Sequence, residues 1–255
     1  PRRLDDISLL KSIVADYIAT ESVTGDLLLL RQNPRISSGC KAIDSITNNG
    51  FRTGTLTEIF GESGSGKTQI GIQTAAHNLI SGSVFICTED LFPVKRLDQI
   101  MQSLPNYTSE DTYGKNIFIE HVTEPNELLA CVKVRLPKLL SKNKVSLIVV
   151  DSIAAPYRTD TTNYVQRAED LRELAMALIE IAQRHNLAVL CINQVTAAFD
   201  ETDNVLPSLG LACSNNLRGY SEVRIAACHS LKYIYESERN GTIYERQSNS
   251  GMLLD

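Results

Sequence analysis

The sequence predicts an α/β fold built on a mostly parallel central sheet, and three observations lead to it. Short apolar runs of strand length recur between residues 55 and 195. Stretches with helical apolar spacing separate them. The runs are apolar at nearly every position instead of alternating, which marks strands covered by helices on both faces.

In chain order, TLTEIF is the first strand of this series and residues 66–80 the first helix. SVFICTE is the next strand, followed by a helix over FPVKRLDQIMQSL. NIFIEHV precedes a helical stretch over 124–143, and VSLIVVDS is a buried strand. A long helix over 163–186 leads to the strand LAVLCINQV. Near the end, YIYESERNGTIYER sets two β-rich arms around Asn240-Gly241, a strong signal for a C-terminal β-hairpin. Before the series, Leu4, Ile7, Leu10, Val14, Tyr17 and Ile18 recur at helical spacing. They predict an amphipathic helix over 4–20 and a linker ending near Pro34. Residues 1–35 therefore read as an appendage and 36–255 as the main domain.

Composition narrows the function classes. The chain has 255 residues, 43% of them hydrophobic, which is ample for one large core. It begins at Pro1 and not Met, which suggests a piece of a longer protein. No run approaches the roughly 20 apolar residues of a membrane span. A net charge of -5 argues against a dedicated nucleic-acid binder acting alone, because phosphate contacts come mainly from Lys and Arg. The six cysteines form no CxxC pair, and most sit among apolar neighbours, as buried thiols of a reducing compartment do. The four histidines form no ligand set.

The most informative stretch is GESGSGKT, residues 61–68, set between a strand and a helix. G-x-x-x-x-G-K-T in that setting is a phosphate-binding loop. Gly61, Gly64 and Gly66 let the backbone turn its N–H groups around a phosphate. The helix beginning near Lys67 adds its positive end. Lys67 would reach the β- and γ-phosphates, and the Thr68 hydroxyl would ligate Mg²⁺. Glu62, Ser63 and Ser65 fill the loop and Gln69 follows it, so the whole stretch 61–69 is assigned to ATP.

Three strand ends carry polar partners for that loop. Asp151 ends LIVVD, where ligands gather in open α/β sheets, and its carboxylate suits Mg²⁺. Read alone it also suits a cap on the next helix. Glu89 ends another strand and could orient or deprotonate an attacking water. Gln194 ends a third and could sense a γ-phosphate. Polar residues commonly end strands, but three behind one phosphate loop form a specific set.

Four stretches taken in order, GESGSGKTQI, CTEDLFPVKRL, LIVVDSIAAPYR and VLCINQV, resemble the RecA-type recombinase ATPases over residues 36–212. Among these the likeness is to the recombinase paralogues, auxiliary factors of homologous recombination. The resemblance implies a RecA-like ATPase core, with Glu89 as catalytic glutamate and Asp151 as the magnesium-associated aspartate. Gln194 would link the γ-phosphate to the DNA-binding loop, and Arg96 would stack on adenine. Read alone, Arg96 also fits a solvated helix face.

The resemblance further implies two loops facing single-stranded DNA, at 157–167 and 196–212. The first contains Arg158 and Arg167 with two tyrosines, suited to phosphates and base stacking. The second carries Asp200, Glu201 and Asp203 and no Lys or Arg, which is poor material for a phosphate backbone. No Phe precedes Phe51, so the family's Phe-x-x-Ala filament plug is missing in its usual form. The link SGS after the first helix is short for the family, and the tail after 213 matches poorly.

The expected function is thus an ATP-binding paralogue, a subunit of a hetero-oligomer with another recombinase paralogue, assisting homologous recombination and double-strand-break repair. Single-stranded or branched DNA would be met through the complex, and Mg-dependent hydrolysis would be slow. The family implies a nuclear location, with a cytoplasmic one compatible. Three alternatives stay open: a filament-forming, DNA-stimulated recombinase ATPase, a P-loop small-molecule kinase, and a scaffold that keeps nucleotide only for folding.

Overall fold

The computed structural model describes residues 34–104, 113–158 and 164–194, and beyond them short strands at 198–199, 205–206, 223–227, 232–237 and 242–247. The chain divides into two units, Pro1–Gln32 and Asn33–Asp255, and every described residue belongs to the second. The expected helix over 4–20 lies outside the described residues.

The described chain opens with a small antiparallel pair, β1 (Arg35–Ile36) and β2 (Phe51–Arg52), around the short helix α1 (Lys41–Ile46). Side chains hold this segment where backbone pairing is too short to do so. Arg35 Nη1 donates to the carbonyls of Thr47 and Gly50 at 2.9 and 3.0 Å. Asp44 accepts from the backbone N–H and hydroxyl of Ser38 at 2.8 and 2.7 Å. None of these elements reaches the length at which a periodic pattern becomes visible.

The main series follows as β3 (Leu56–Gly61), α2 (Lys67–His77), β4 (Ser83–Cys87), α3 (Val94–Gln102) and β5 (Ile117–His121). Next come α4 (Pro125–Ala130), a π-helical turn (Cys131–Arg135), α5 (Leu136–Leu140) and β6 (Leu147–Asp151). The expected single helix over 124–143 is therefore interrupted. Pro137 lies just beyond the π turn and has no N–H to donate back into the helix. The series ends with α6 (Tyr164–His185) and β7 (Ala188–Gln194).

Helix α2 stops at His77, short of the expected residue 80. The Asn78 side chain turns the chain by donating to Gly82 O at 2.9 Å and Ser146 Oγ at 2.8 Å. Helix α6 ends at Asn186 in the left-handed region (φ 50°), which asparagine tolerates. There the Asn186 amide oxygen accepts from Thr53 at 2.8 Å.

Three further strands complete the sheet: β10 (Val223–Ala227), β11 (Lys232–Ser237) and β12 (Thr242–Gln247), after a separate antiparallel pair of β8 (Ala198–Phe199) and β9 (Val205–Leu206). The strand order is β12-β11-β10-β3-β7-β6-β4-β5. The pairs from β10 to β5 are all parallel, and β11 and β12 join antiparallel at one end. This is the expected α/β, RecA-like layout with its C-terminal hairpin, whose Asn240-Gly241 turn lies outside the described residues. Sequence reading missed β10, which completes the parallel set beside β3.

Alternation along the strands builds two cores, one per sheet face. Val84, Ile86, Ile148, Val150, Val189 and Cys191 pack with Leu171, Leu174 and Leu178 of α6. Phe85, Cys87, Leu147, Val149, Leu190 and Ile192 pack with Ile70 and Ile72 of α2 and Leu97 and Met101 of α3. Buried positions 171, 174, 175, 178 and 182 of α6 follow helical spacing. Among the described residues no helix is long and apolar enough to cross a membrane.

Helix α2 approaches the sheet closely because Gly71 faces it. A Cβ there would lie 3.1 Å from Val149 Cγ1, 3.2 Å from Ile192 Cδ1 and 3.3 Å from Phe85 Cε2. We expect Gly71→Val to lift the helix and lower stability by about 3 kcal/mol, with Gly71→Ala intermediate. Urea denaturation checks this, and wild-type stability in the valine variant would refute the close packing.

Candidate nucleotide site

Four strands of the sheet end together. Gly61 of β3 is in register with Gln194 of β7, and Asp151 of β6 is in register with Ile192 of β7 and Cys87 of β4. The phosphate loop, Asp151, Gln194 and Glu89 just past β4 are thereby brought to one edge. They line a single cavity of about 460 Å³ with Ser63, Gly64, Gly66 and Gln69.

Backbone geometry shapes the loop. Gly64 and Gly66 have φ of 77° and 86°. A Cβ on Gly66 would meet nothing within 4 Å, so the left-handed backbone, not space, demands glycine there. No side-chain cap takes the first N–H groups of α2, which stay available to an anion. Ser65 Oγ donates to Glu62 O at 2.8 Å, closing the loop on itself.

Lys67 is buried, and its ammonium donates to Glu62 O at 2.6 Å and to Ser65 Oγ at 3.4 Å. Burial lowers its hold on its proton, Asp151 and Glu62 oppose that, and Arg158 adds to it. Beside it, Thr68 Oγ1 donates to Asp151 Oδ2 at 2.6 Å. Two hard oxygens at this spacing fit the donor set of a magnesium ion bound through one carboxylate and phosphates. Burial raises the Asp151 carboxyl above its ordinary range, against the Thr68 hydrogen bond and the Lys67 charge.

Thr88 locks this edge, and sequence reading missed it. Its backbone N–H donates to Asp151 O at 2.8 Å, and its hydroxyl donates to Ser152 O at 2.6 Å while accepting from Ser152 N at 2.8 Å. The Asp151–Ser152 peptide, held in this way, is cis. Ser152 lines the cavity, and its Oγ is buried with no hydrogen-bond partner in the structure. In the sequence Thr88 is one polar residue at a strand end, and only the register shows that it faces Asp151. Cys87 also lines the cavity, but burial raises its thiol to about 12, so it serves as apolar wall.

The remaining sequence candidates are placed as follows. Glu89 is ion-paired with Arg158, whose Nη2 donates to Gln194 Oε1 at 3.3 Å. Arg96 Nε donates to Gln69 Oε1 at 2.6 Å, which ties α3 to the residue after the loop. Arg158 thus turns toward the cavity. Arg167 is buried, with Nη1 on the Tyr157 carbonyl at 3.5 Å, and Tyr157 is itself buried. Arg167 and Tyr157 are both covered, and residues 159–163 of the expected 157–167 loop lie outside the described residues. The acidic residues Asp200, Glu201 and Asp203 lie outside the described residues. Among the described residues, Cys40, Cys87, Cys131 and Cys191 form no disulfide, and the last three are buried.

Comparison with known proteins adds an independent line. A family profile described as Rad51 matches residues 31–208, which contain the whole cavity. A DNA repair protein XRCC3 from Bos taurus is 34% identical over 242 residues, 83% of this chain and 71% of that protein. The XRCC3 of Mus musculus is 36% identical over 197 residues, 70% of this chain and 56% of that protein. A DNA repair and recombination protein RadB from Thermococcus kodakarensis is 33% identical over 192 residues, 72% of this chain and 82% of that protein.

The electrostatics of Asp151 generate a stability prediction. Its folded-state pKa lies above the ordinary 3.8, so the folded protein takes up this proton more readily than the unfolded chain. The ionised form therefore detracts from stability at neutral pH, and the deficit fades as pH falls through the folded-state value toward 3.8. Asn at 151 keeps an acceptor for Thr68 without the buried charge. Asp151→Asn should raise the melting temperature at pH 7 by about 2–4 °C, a shift typical of roughly 1 kcal/mol. The gain should shrink in acid. A lower melting temperature at pH 7 would contradict this reading.

Proposed function

The chain belongs to the Rad51 family, and from that premise we propose that it is an ATP-binding recombinase paralogue of DNA repair by homologous recombination. It works as a subunit of a hetero-oligomer with another paralogue and turns ATP over slowly with Mg²⁺. The observation that carries the nucleotide part is the 2.6 Å contact between Thr68 and Asp151, made across the cavity beside Lys67. The similarity to proteins of DNA repair and recombination supports the repair part.

In this reading the loop N–H groups and the start of α2 receive the phosphates. Lys67 exchanges the Glu62 carbonyl for the β- and γ-phosphates, and its burial makes that charge strong locally. Thr68 and Asp151 would hold Mg²⁺, which when bound neutralises phosphate charge. Glu89 accepts the proton of the attacking water, and Gln194 reports the terminal phosphate through its amide. Glu89 is 44% exposed, so the water it activates is incompletely enclosed by this chain alone, in keeping with slow turnover.

Leu91 lines the cavity and is 79% exposed, and Val94, which is 63% exposed, begins α3 directly after the lining residue Pro93. Apolar side chains so placed suit a neighbouring subunit that covers the nucleotide, which would make ATP a ligand of assembly as much as a substrate. DNA is met through the complex, consistent with the net charge of -5, and the site of action is the nucleus.

Nucleotide titration and steady-state turnover test this reading, with and without single-stranded DNA and a Rad51-family partner. Lys67→Ala should weaken ATP binding by about 100-fold or more. Glu89→Gln should keep ATP binding and lower turnover by about 100-fold. Partner association that strengthens with ATP would support the assembly role. Fast DNA-stimulated turnover by the chain alone would replace it with a filament-forming recombinase.

A further inference from the structure

The chemistry above leaves Arg158 without a task, although its guanidinium is the group that joins Glu89 to Gln194. Its backbone is anchored. The 3₁₀ turn Ala155–Tyr157 ends in a buried tyrosine, and Arg158 N donates to Ala155 O at 3.1 Å. The side chain is about one-third exposed (32%) and reaches across the ends of β4 and β7. It also lies near enough to Lys67 to weaken that residue's hold on its proton.

A nucleotide whose β-phosphate lies in the loop extends its terminal phosphate toward Glu89 and Gln194. A bare carboxylate at that position would repel the terminal phosphate. A guanidinium paired to it changes the local sign. Its planar fork has five N–H donors, more than Glu89 and Gln194 use, and it matches phosphate oxygens in pairs.

We propose that Arg158 is the residue by which this site distinguishes a nucleoside triphosphate from a diphosphate. It neutralises Glu89 and donates directly to the terminal phosphate, a cis arginine at the position where the sequence alone suggested a DNA contact. The inference rests on the nucleotide reading of the cavity, and its test separates the two.

The 255-residue chain is titrated with Mg²⁺ and either adenylyl imidodiphosphate or ADP, as wild type, R158Q, R158K, E89Q and the R158Q/E89Q double variant. R158Q should weaken the triphosphate analogue by about tenfold or more and change ADP by no more than about twofold. R158K keeps the charge but not the fork, so it should recover part of the loss. The loss should persist in the E89Q background, because the phosphate contact does not depend on Glu89. Melting curves show that each variant is folded; if R158Q is not, R158K against wild type carries the test, with an expected loss of about threefold or more. A triphosphate-to-diphosphate ratio unchanged by either substitution would overturn the proposal. So would a loss that disappears with Glu89→Gln, since Arg158 would then only screen that carboxylate. Wild-type protein that binds neither nucleotide would overturn the nucleotide reading itself.

Discussion

The parallel registry of β3, β7, β6 and β4 decides where everything else in this protein stands. Backbone hydrogen bonds align Gly61 with Gln194, and Asp151 with Ile192 and Cys87. Residues far apart in the chain therefore reach one edge with no loop needed to bring them there. The side-chain period is two, so a slip of one residue would send Asp151 to the other face and break its bond with Thr68. The two cores enforce the registry, because each strand buries alternate residues on opposite sides.

On that frame the cavity gathers groups that the rest of the fold would not choose. Lys67 and Asp151 are both held partly out of water, and burial pushes the ammonium down and the carboxyl up. Each favours its neutral form more than it would in solvent, the charge of each opposes that shift in the other, and hydrogen bonds to Glu62, Ser65 and Thr68 hold them in place. A phosphate ligand with a divalent cation answers both needs at once. Thr88 serves the same end from the side, giving up both faces of its hydroxyl to hold the turn after Asp151. Stability is locally surrendered for a prepared binding edge, as is common at functional sites.

Much of this was legible in the sequence because it is written in long, uniform signals. The central strands are apolar at almost every position, and the loop motif has fixed spacing with strand and helix flanks. Glu89, Asp151 and Gln194 could be picked out because strand ends in such sheets converge. What escaped was short or non-local. β1, β2 and α1 are held by Arg35 and Asp44 and not by periodicity. β10 is five residues long, and its place beside β3 follows from pairing alone. The π turn at Cys131–Arg135 has no pattern of its own. Arg158 illustrates the limit best. The resemblance placed it in a loop facing DNA, whereas its neighbours in space are an acid and an amide of the cavity. Local composition says which charge is available, and only the fold says which group it faces.

The close seat of α2 on the sheet carries a lesson about how this sequence can change over generations. Gly71 lets the helix rest against Val149, Ile192 and Phe85, so the start of the helix is fixed relative to β6 and β7. The other end of the loop is fixed by β3. Between two immovable ends, the number of residues from 61 to 68 cannot drift, because one insertion would swing Thr68 away from Asp151. At the opposite end of the strands the link after α2 is held by different contacts, those of Asn78 with Gly82 and Ser146, and none of them bears on the spacing of the loop.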